Sequence, residues 1–189
     1  NFSIEMVAEG FSHPWSLEFI PGGGYLISER SGTLYQVSAN GQKRAIEGVP
    51  NVYHAGQGGL LDIVVEPDFR DGGWLYFSYA ARTDKGDSLA NTEIARGRLN
   101  LTQSRLRGVE ILFKAQPKTP GANHYGSRIQ FARDGTFYAT LGERFDYMEE
   151  AQNPENHLGT VVRLNPDGSI PDDNPFKGHE RYQPEIFSY

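Results

Sequence analysis

The hydrophobic residues of this chain alternate with polar residues over short stretches, and turn-forming residues separate the stretches. Alternation with a period of two is typical of half-buried β-strands. It occurs at 17–19, 25–27, 34–37, 63–65, 75–77, 129–131, 137–139 and 161–164. Clusters of Gly, Pro, Asp and Asn stand between these stretches, at 21–24, 40–41, 71–73, 134–135 and 166–168. The one helical candidate, 146–157, has no clean amphipathic stripe and is predicted to be a loop. The pattern therefore predicts an all-β chain.

Two sequence elements recur along the chain. The segment LEFIPGGGYLIS (17–28) returns as IVVEPDFRDGGWLYFS (63–78) and as IQFARDGTFYAT (129–140). Each predicts a strand, a turn and an aromatic-rich strand that ends in Ser or Thr. A second element, GTLYQVSANG (32–41), returns as GTVVRLNPDG (159–168). Units of about 40–50 residues with roughly four strands are typical of β-propeller blades. A β-sandwich is the alternative, and the paired recurrence of both elements favours the propeller.

The number of repeats is too small for a closed ring. About three to three and a half units fit into the chain, whereas propellers close with typically four to eight blades. The last residues, 184–189, run into a strand without a terminating signal. We therefore expect residues 1–189 to form a single partial propeller domain, with the ring completed by residues outside this chain.

Composition narrows the classes of function. Lys and Arg number 18 against 24 Asp and Glu, a formal charge of -6, which argues against nucleic acid and anionic lipid as partners. The absence of Cys excludes disulfides, thiolate nucleophiles and Cys metal sites. No apolar run approaches the roughly 18 residues of a membrane span. The chain begins with Asn1 rather than Met, which predicts removal of a leader, although any other choice of starting point would look the same.

Two loop residues are candidates for chemistry. His124 stands in PGANHYG, just before a predicted inner strand, where a propeller loop approaches the central axis. An imidazole there suits a general base near neutral pH, and a structural His bonded to the loop backbone is the alternative. Gln57 occupies the corresponding place one unit earlier, in GQGGLL, where its amide could bind a ligand or face solvent. His54, near Gln57, is the reserve candidate for the base. The spacings exclude HExxH, G-x-S-x-G and Walker motifs.

The segment 165–175, NPDGSIPDDNP, is rich in potential calcium ligands. Its spacing does not fit an EF-hand loop, because no Glu stands at the twelfth position. Asx turns stiffened by prolines explain the composition better, and we assign no metal ligand from the sequence.

Several motifs together resemble a known family. HPWSLEF (13–19), AGQGGLLDIVVEPDF (55–69), NHYGSRIQF (123–131), TLGE (140–143) and HLGTVVRLNPDGSIPDDNPF (157–176) are similar to the soluble PQQ-dependent sugar dehydrogenases. These form the wider glucose/sorbosone dehydrogenase family, and the resemblance is greatest to its bacterial aldose sugar dehydrogenases. It extends over practically the whole chain.

The resemblance implies a six-bladed propeller that binds pyrroloquinoline quinone (PQQ) and calcium on its axis. It implies that His124 contacts the cofactor and takes a proton from the anomeric hydroxyl as hydride passes to the quinone, which converts an aldose to a lactone. Gln57 would contact both cofactor and sugar, and Gln152 corresponds to a further sugar-contacting glutamine. Asn123 stands where glucose-type enzymes have an acidic residue, so sugar recognition is expected to differ.

The resemblance also carries expectations about the rest of the protein. The family's G-x-R-N-P-Q-G motif, which holds PQQ, follows a segment like 186–189, so the chain corresponds to about half of such an enzyme. The calcium ligands are expected mainly beyond it. An electron acceptor is an implied partner, and a periplasmic or secreted location is expected. A non-catalytic extracellular binding propeller is the alternative function. A lactonase is disfavoured, because no axial set of Glu, Asn and Asp occurs in the repeats.

Overall fold

A computed structural model describes residues 2–83 and 88–189, which form three four-stranded antiparallel sheets. In each sheet the strands follow one another in chain order. The first sheet holds β1 (Pro14–Phe19), β2 (Tyr25–Glu29), β3 (Leu34–Val37) and β4 (Lys43–Ile46). The second holds β5 (Leu60–Val65), β6 (Trp74–Arg82), β7 (Ala90–Asn100) and β8 (Arg105–Lys114). The third holds β9 (Gly126–Phe131), β10 (Phe137–Leu141), β11 (Val161–Leu164) and β12 (Ile186–Ser188).

The repeats of the sequence correspond to equivalent parts of the sheets. The first element forms the first two strands of each sheet, and the second element forms the third strand of the first and third sheets. The segment 184–189 supplies β12, which completes the third sheet. Within 146–157 the structure has one short 3-10 helix, Met148–Gln152, and otherwise turns. The prediction of an all-β propeller chain is confirmed.

Three strands had no clear signal in the sequence, namely β4, β7 and β8. The outermost strands β4 and β8 are largely exposed, and charged residues such as Lys43 and Arg44 replace the expected alternation. Charged side chains are typical of sheet edges, where they discourage pairing with other chains. Strand β7 is buried over most of its length despite polar residues at its start, including Asn91, Thr92 and Glu93. Burial on both faces removes the period of two on which the prediction rests.

The hydrophobic core lies between successive sheets. On β6, Leu75 and Phe77 are packed in a cluster with residues of the first sheet, whereas Tyr76 is packed with residues of the third. Successive side chains of a strand point to opposite faces, so one strand of the middle sheet contributes to both interfaces. The middle sheet is therefore covered on both sides, as a blade within a propeller is.

Polar contacts join the first strands β1, β5 and β9. The buried carboxylate of Asp62 accepts hydrogen bonds from Ser16 Oγ at 2.6 Å and from the Ile129 N–H at 2.7 Å. It also pairs with Arg128 Nη1 at 2.7 Å. A buried carboxylate requires such partners, because desolvation without them costs several kcal/mol. Asp62 thus fixes the three first strands relative to one another.

The hydroxyl that ends each hairpin repeat has a defined structural role. Ser28 Oγ accepts from the Ser16 N–H at 3.1 Å and donates to Leu61 O of the next sheet at 2.6 Å. Ser78 Oγ repeats the pattern: it accepts from the Asp62 N–H at 3.0 Å and donates to Ser127 O at 2.9 Å. These hydroxyls therefore link each sheet to its successor.

Within the described residues, no helix has the length and apolar character needed to cross a membrane.

Candidate active site

His124 lies in the loop between β8 and β9, two residues before β9 begins, with a left-handed backbone (φ 48°). Its ring Nδ1 is hydrogen-bonded to Glu143 Oε1, and 40% of its side chain is exposed. Among the described residues Nε2 has no hydrogen-bond partner. The imidazole is thus fixed at one nitrogen and open at the other, which a general base requires.

The structure brings Gln57 and His124 together. Gln57 Oε1 accepts a hydrogen bond from the His124 backbone N–H at 3.0 Å, and the Gln57 N–H donates to Ala122 O at 2.8 Å. The glycine before Gln57 makes this approach possible, because a Cβ on Gly56 would lie 2.6 Å from Ala122 O. The side-chain nitrogen Nε2 of Gln57 makes no hydrogen bond to the rest of the described chain and stays available to a ligand.

Glu143 completes the cluster and was not singled out as a site residue in the sequence. It follows β10, at the end of the TLGE motif, which was the only signal that could have indicated it. Partial burial raises the pKa of Glu143, but hydrogen bonds from the His124 ring and from backbone N–H groups outweigh burial, so the pKa is below its ordinary value. An ionised carboxylate only accepts hydrogen bonds. In the neutral imidazole, Nδ1 therefore carries the hydrogen and Nε2 the lone pair.

Arg144 anchors the loop that carries His124, and it too was missed. Its side chain is buried and donates to Asn123 O at 2.9 Å, Gly121 O at 2.8 Å and Ala90 O at 2.7 Å. Its guanidinium lies 3.8 Å from the centre of the Tyr125 ring. Burial lowers the pKa of Arg144, which nevertheless stays protonated because arginine does not lose its proton in proteins. One buried cation thus satisfies three backbone carbonyls around the site.

The other predicted site residues occupy different positions. Asn123 adjoins His124, its carbonyl accepts from Arg144, and its side-chain amide has no hydrogen bond within the described chain. Gln152 ends the 3-10 helix and donates to Ala151 O at 3.3 Å; no contact in the described residues joins it to Gln57 or His124. His54 is exposed and likewise has no contact with the cluster among those residues.

His157, which the sequence analysis did not select, is a structural residue. It is buried, its Nδ1 accepts the Gln116 N–H at 3.0 Å, and its Nε2 lies 3.4 Å from Glu185 Oε2. Both ring nitrogens are therefore engaged, in contrast to His124.

The segment 165–175 has the expected Asx-turn structure. Asp167 Oδ1 accepts from the Ser169 N–H at 3.0 Å and from its hydroxyl at 2.6 Å. Asp173 pairs with Arg163 Nη1 at 2.8 Å, so this carboxylate already has a cation. No three His, Asp or Glu residues come together as a metal site in residues 2–83 and 88–189.

The comparisons with known proteins identify the family. The sequence profile of the family described as glucose/sorbosone dehydrogenase matches residues 11–189. The chain belongs to the glucose/sorbosone dehydrogenase family. It is 37% identical over 189 residues to the aldose sugar dehydrogenase YliI of Escherichia coli K12, an alignment that covers 99% of this chain and 50% of that protein. It is 28% identical over 147 residues to the human hedgehog-interacting protein, covering 69% of this chain and 21% of that protein.

Solved structures of the glucose/sorbosone dehydrogenase family show the same fold. The apo-form of the soluble aldose sugar dehydrogenase of E. coli superposes with a TM-score of 0.90 at 36% identity, covering 96% of this chain and 52% of that one. The PQQ-bound form of the aldose sugar dehydrogenase of Streptomyces coelicolor superposes with a TM-score of 0.82 at 30% identity, covering 98% of this chain and 52% of that one. The chain therefore spans about half the length of these relatives. Three sheets in about half that length correspond to a propeller of six blades, of which this chain forms three.

Proposed function

We propose that this chain carries the proton-accepting part of an aldose dehydrogenase site, with His124 as the base. The observation that carries the proposal is the state of the His124 ring: Glu143 holds Nδ1, and Nε2 is open. A carboxylate behind an imidazole orients the ring and stabilises the imidazolium that forms when Nε2 takes a proton. Oxidation of an aldose at C1 needs that proton transfer, because the hydroxyl proton must leave as C1 loses hydride and becomes the lactone carbonyl.

The proposal gives polar roles to the groups around the base. The Gln57 amide nitrogen is free to donate to a cofactor or sugar oxygen beside His124, since only the amide oxygen is used by the loop. The free side-chain amide of Asn123 can bind a sugar hydroxyl. Gln152 stays a prediction for sugar binding, supported by its exposed position in the segment that follows Glu143.

PQQ is the cofactor that we propose. The PQQ-bound relative supports it at the level of the family. The residues present fit one edge of a quinone, since the Gln57 side chain is bonded to the His124 backbone and its side-chain nitrogen remains able to donate to a carbonyl oxygen. When bound, PQQ supplies the two-electron oxidant that accepts hydride. The described residues do not fit calcium in the same way, because they bring no cluster of carboxylates together. We therefore derive no step through calcium.

We further propose that the chain functions as part of a closed ring. Leu17 and Phe19 on β1 leave 49% and 70% of their surface exposed, although the middle sheet is covered on both faces. Thr140 corresponds to Ser28 and Ser78, and it accepts from the Arg128 N–H at 3.0 Å. In the described chain its hydroxyl has no acceptor on a further sheet, so both observations support a further sheet on each side of this chain.

We also propose a periplasmic or secreted location for the protein, and an electron acceptor as its partner.

A non-catalytic binding propeller is the second candidate. The similarity to the hedgehog-interacting protein favours it, since that protein's name describes an interaction partner. The oriented His124–Glu143 pair favours the enzyme, because a binding surface has no need of an imidazole with one open nitrogen.

The deciding experiment is reconstitution. The protein, produced at the full length that its gene encodes and stripped of cofactor, is mixed with PQQ and calcium, and dye reduction is followed with an aldose. We expect reduction that depends on both PQQ and sugar, and none with nicotinamide, since the chain has no dinucleotide-binding pattern. Equal rates with and without PQQ, or PQQ binding without any sugar oxidation, would contradict the proposal. The second outcome would favour the binding propeller.

A further inference from the structure

Phe145 is an exposed aromatic residue in a strained backbone conformation next to the proposed base. Its φ is 72°, it follows Arg144 with a φ of 66°, and 53% of its surface is exposed. A bulky residue in this region is an outlier, and such strain persists only where the surroundings impose it. Burial of the ring does not explain the strain, because more than half of the side chain remains in solvent. The conformation therefore points to a use for the exposed ring.

The position of the Phe145 ring is fixed from two directions. Its N–H donates to Glu143 Oε1 at 3.2 Å, the same oxygen that is hydrogen-bonded to His124 Nδ1. Its ring meets the His124 ring at a centroid distance of 5.2 Å and an interplanar angle of 82°. Arg144, one residue earlier, is anchored to backbone carbonyls of the His124 loop. The aromatic surface is thus held at a defined place relative to the imidazole.

The arrangement fits a sugar ring on that surface. A molecule that reacts at His124 Nε2 must lie beside the imidazole, where Gln57, bonded to the His124 N–H, offers a side-chain amide and Phe145 offers an apolar ring. A pyranose has this combination, with hydroxyls around its rim and a face made of C–H groups. Small-molecule sites typically pair aromatic walls with a few polar groups in this manner.

We propose that Phe145 is the apolar wall of the sugar site and packs against the C–H face of the pyranose whose anomeric hydroxyl meets His124. This inference rests on the proposed function and adds a binding residue to it. Phe145 contributes to binding the sugar in the ground state and the transition state alike. Its loss therefore raises KM and leaves kcat nearly unchanged.

The positive φ of Phe145 allows a test in which the effect on sugar binding and the effect on protein stability have opposite directions. Phe145→Gly removes the ring and also relieves the positive φ, so the protein should melt at the same temperature or higher. KM for the aldose should nevertheless rise by about 2- to 12-fold, the range typical of one aromatic contact. Phe145→Tyr should keep KM within about twofold. Met148→Ala is the matched control, because Met148 is exposed by 66% in the same segment and has no described contact with His124.

The outcomes are distinct. An unchanged KM in Phe145→Gly overturns the proposal, as does a loss of kcat together with a lower melting temperature. Titration of the apoprotein with PQQ should give equal affinities for wild type and Phe145→Gly; weaker PQQ binding with an unchanged KM would assign the ring to the quinone instead. If the wild type oxidises no aldose, the proposed function has failed separately. Calorimetric binding of the aldose then decides: weaker binding by Phe145→Gly supports the wall, and equal binding overturns it.

Discussion

The loops that lead into β5 and β9 occupy equivalent places in two successive sheets, yet they reach their conformations differently. In the Gln57 loop the positive φ angles belong to glycines, 54° at Gly56 and 146° at Gly59. In the His124 loop one of them belongs to a residue with a side chain, 48° at His124, beside 88° at Gly121. Glycine adopts such angles without steric cost, whereas other residues do not. The steric cost of a positive φ is therefore found at His124, whose side chain is the proposed base.

The two loops also differ in what holds them. The Gln57 loop is held mainly by backbone donors, since Gln57 donates to Ala122 O and Gly58 donates to Ala55 O at 2.8 Å, and one side chain, Arg30, also donates to Gly56 O. The His124 loop is held by the buried side chain of Arg144 and by the pairing of the imidazole with Glu143. The Gln57 loop relies on close backbone packing at a glycine, whereas the loop that presents the base relies on side chains that follow β10 of its own sheet. This difference can be tested at each loop.

The largest effect is expected at the base. His124→Asn in the full-length, PQQ-loaded protein should lose about 10²–10⁴-fold in kcat, the usual contribution of general-base catalysis. PQQ should still bind, because the substitution leaves Gln57 and the rest of the loop in place. His54→Asn is the control and should lose much less, since His54 is exposed and has no described contact with the cluster. Near-normal turnover of His124→Asn at saturating sugar would assign the histidine a structural role.

An intermediate effect is expected at the anchor of the His124 loop. Arg144→Met removes the side-chain donors to Asn123 O and Gly121 O, and one of two donors to Ala90 O, which keeps the Thr119 N–H. The loss should lower the free energy of unfolding by about 1–3 kcal/mol. Arg133→Met, at an exposed hairpin turn, should change it by less than about 0.5 kcal/mol. Denaturant unfolding of the two variants gives the comparison. Equal stabilities would show that the loop does not depend on Arg144.

The smallest difference between a variant and its control is expected at the glycine of the Gln57 loop. Gly56→Ala combines a φ of 54° with a Cβ that would lie 2.6 Å from Ala122 O. Gly135 has a φ of 87°, and a Cβ added there would meet no atom within 4 Å. Gly135→Ala therefore shows only the cost of placing a residue with a Cβ at a positive φ. We expect Gly135→Ala to lower the free energy of unfolding by about 1 kcal/mol, and Gly56→Ala to lower it by about 1 kcal/mol more. A difference near zero in thermal unfolding would mean that the close approach of the two loops relaxes freely.

The repeats were sufficient to predict the inner strands of each sheet, because half-burial gives each hairpin the alternation of period two. The same rule could not find β7, which is buried on both faces, or β4 and β8, which lie at charged edges. For the site, the glycine-framed positions of Gln57 and His124 indicated both residues. Their direct contact could not be predicted, since 67 residues separate them along the chain.

Local patterns along the chain indicated the all-β class, the propeller repeat, the loop candidates Gln57 and His124, and a resemblance that the family comparison confirms. The folded arrangement adds that Glu143 holds the imidazole, that Arg144 fixes the loop, and that Asp62 joins the three first strands. The difference follows from the distance along the chain over which each interaction acts. Strand alternation and turn chemistry involve neighbouring residues, whereas the hydrogen-bond partners of a buried or constrained side chain lie many residues away along the chain and depend on how strands and sheets pack.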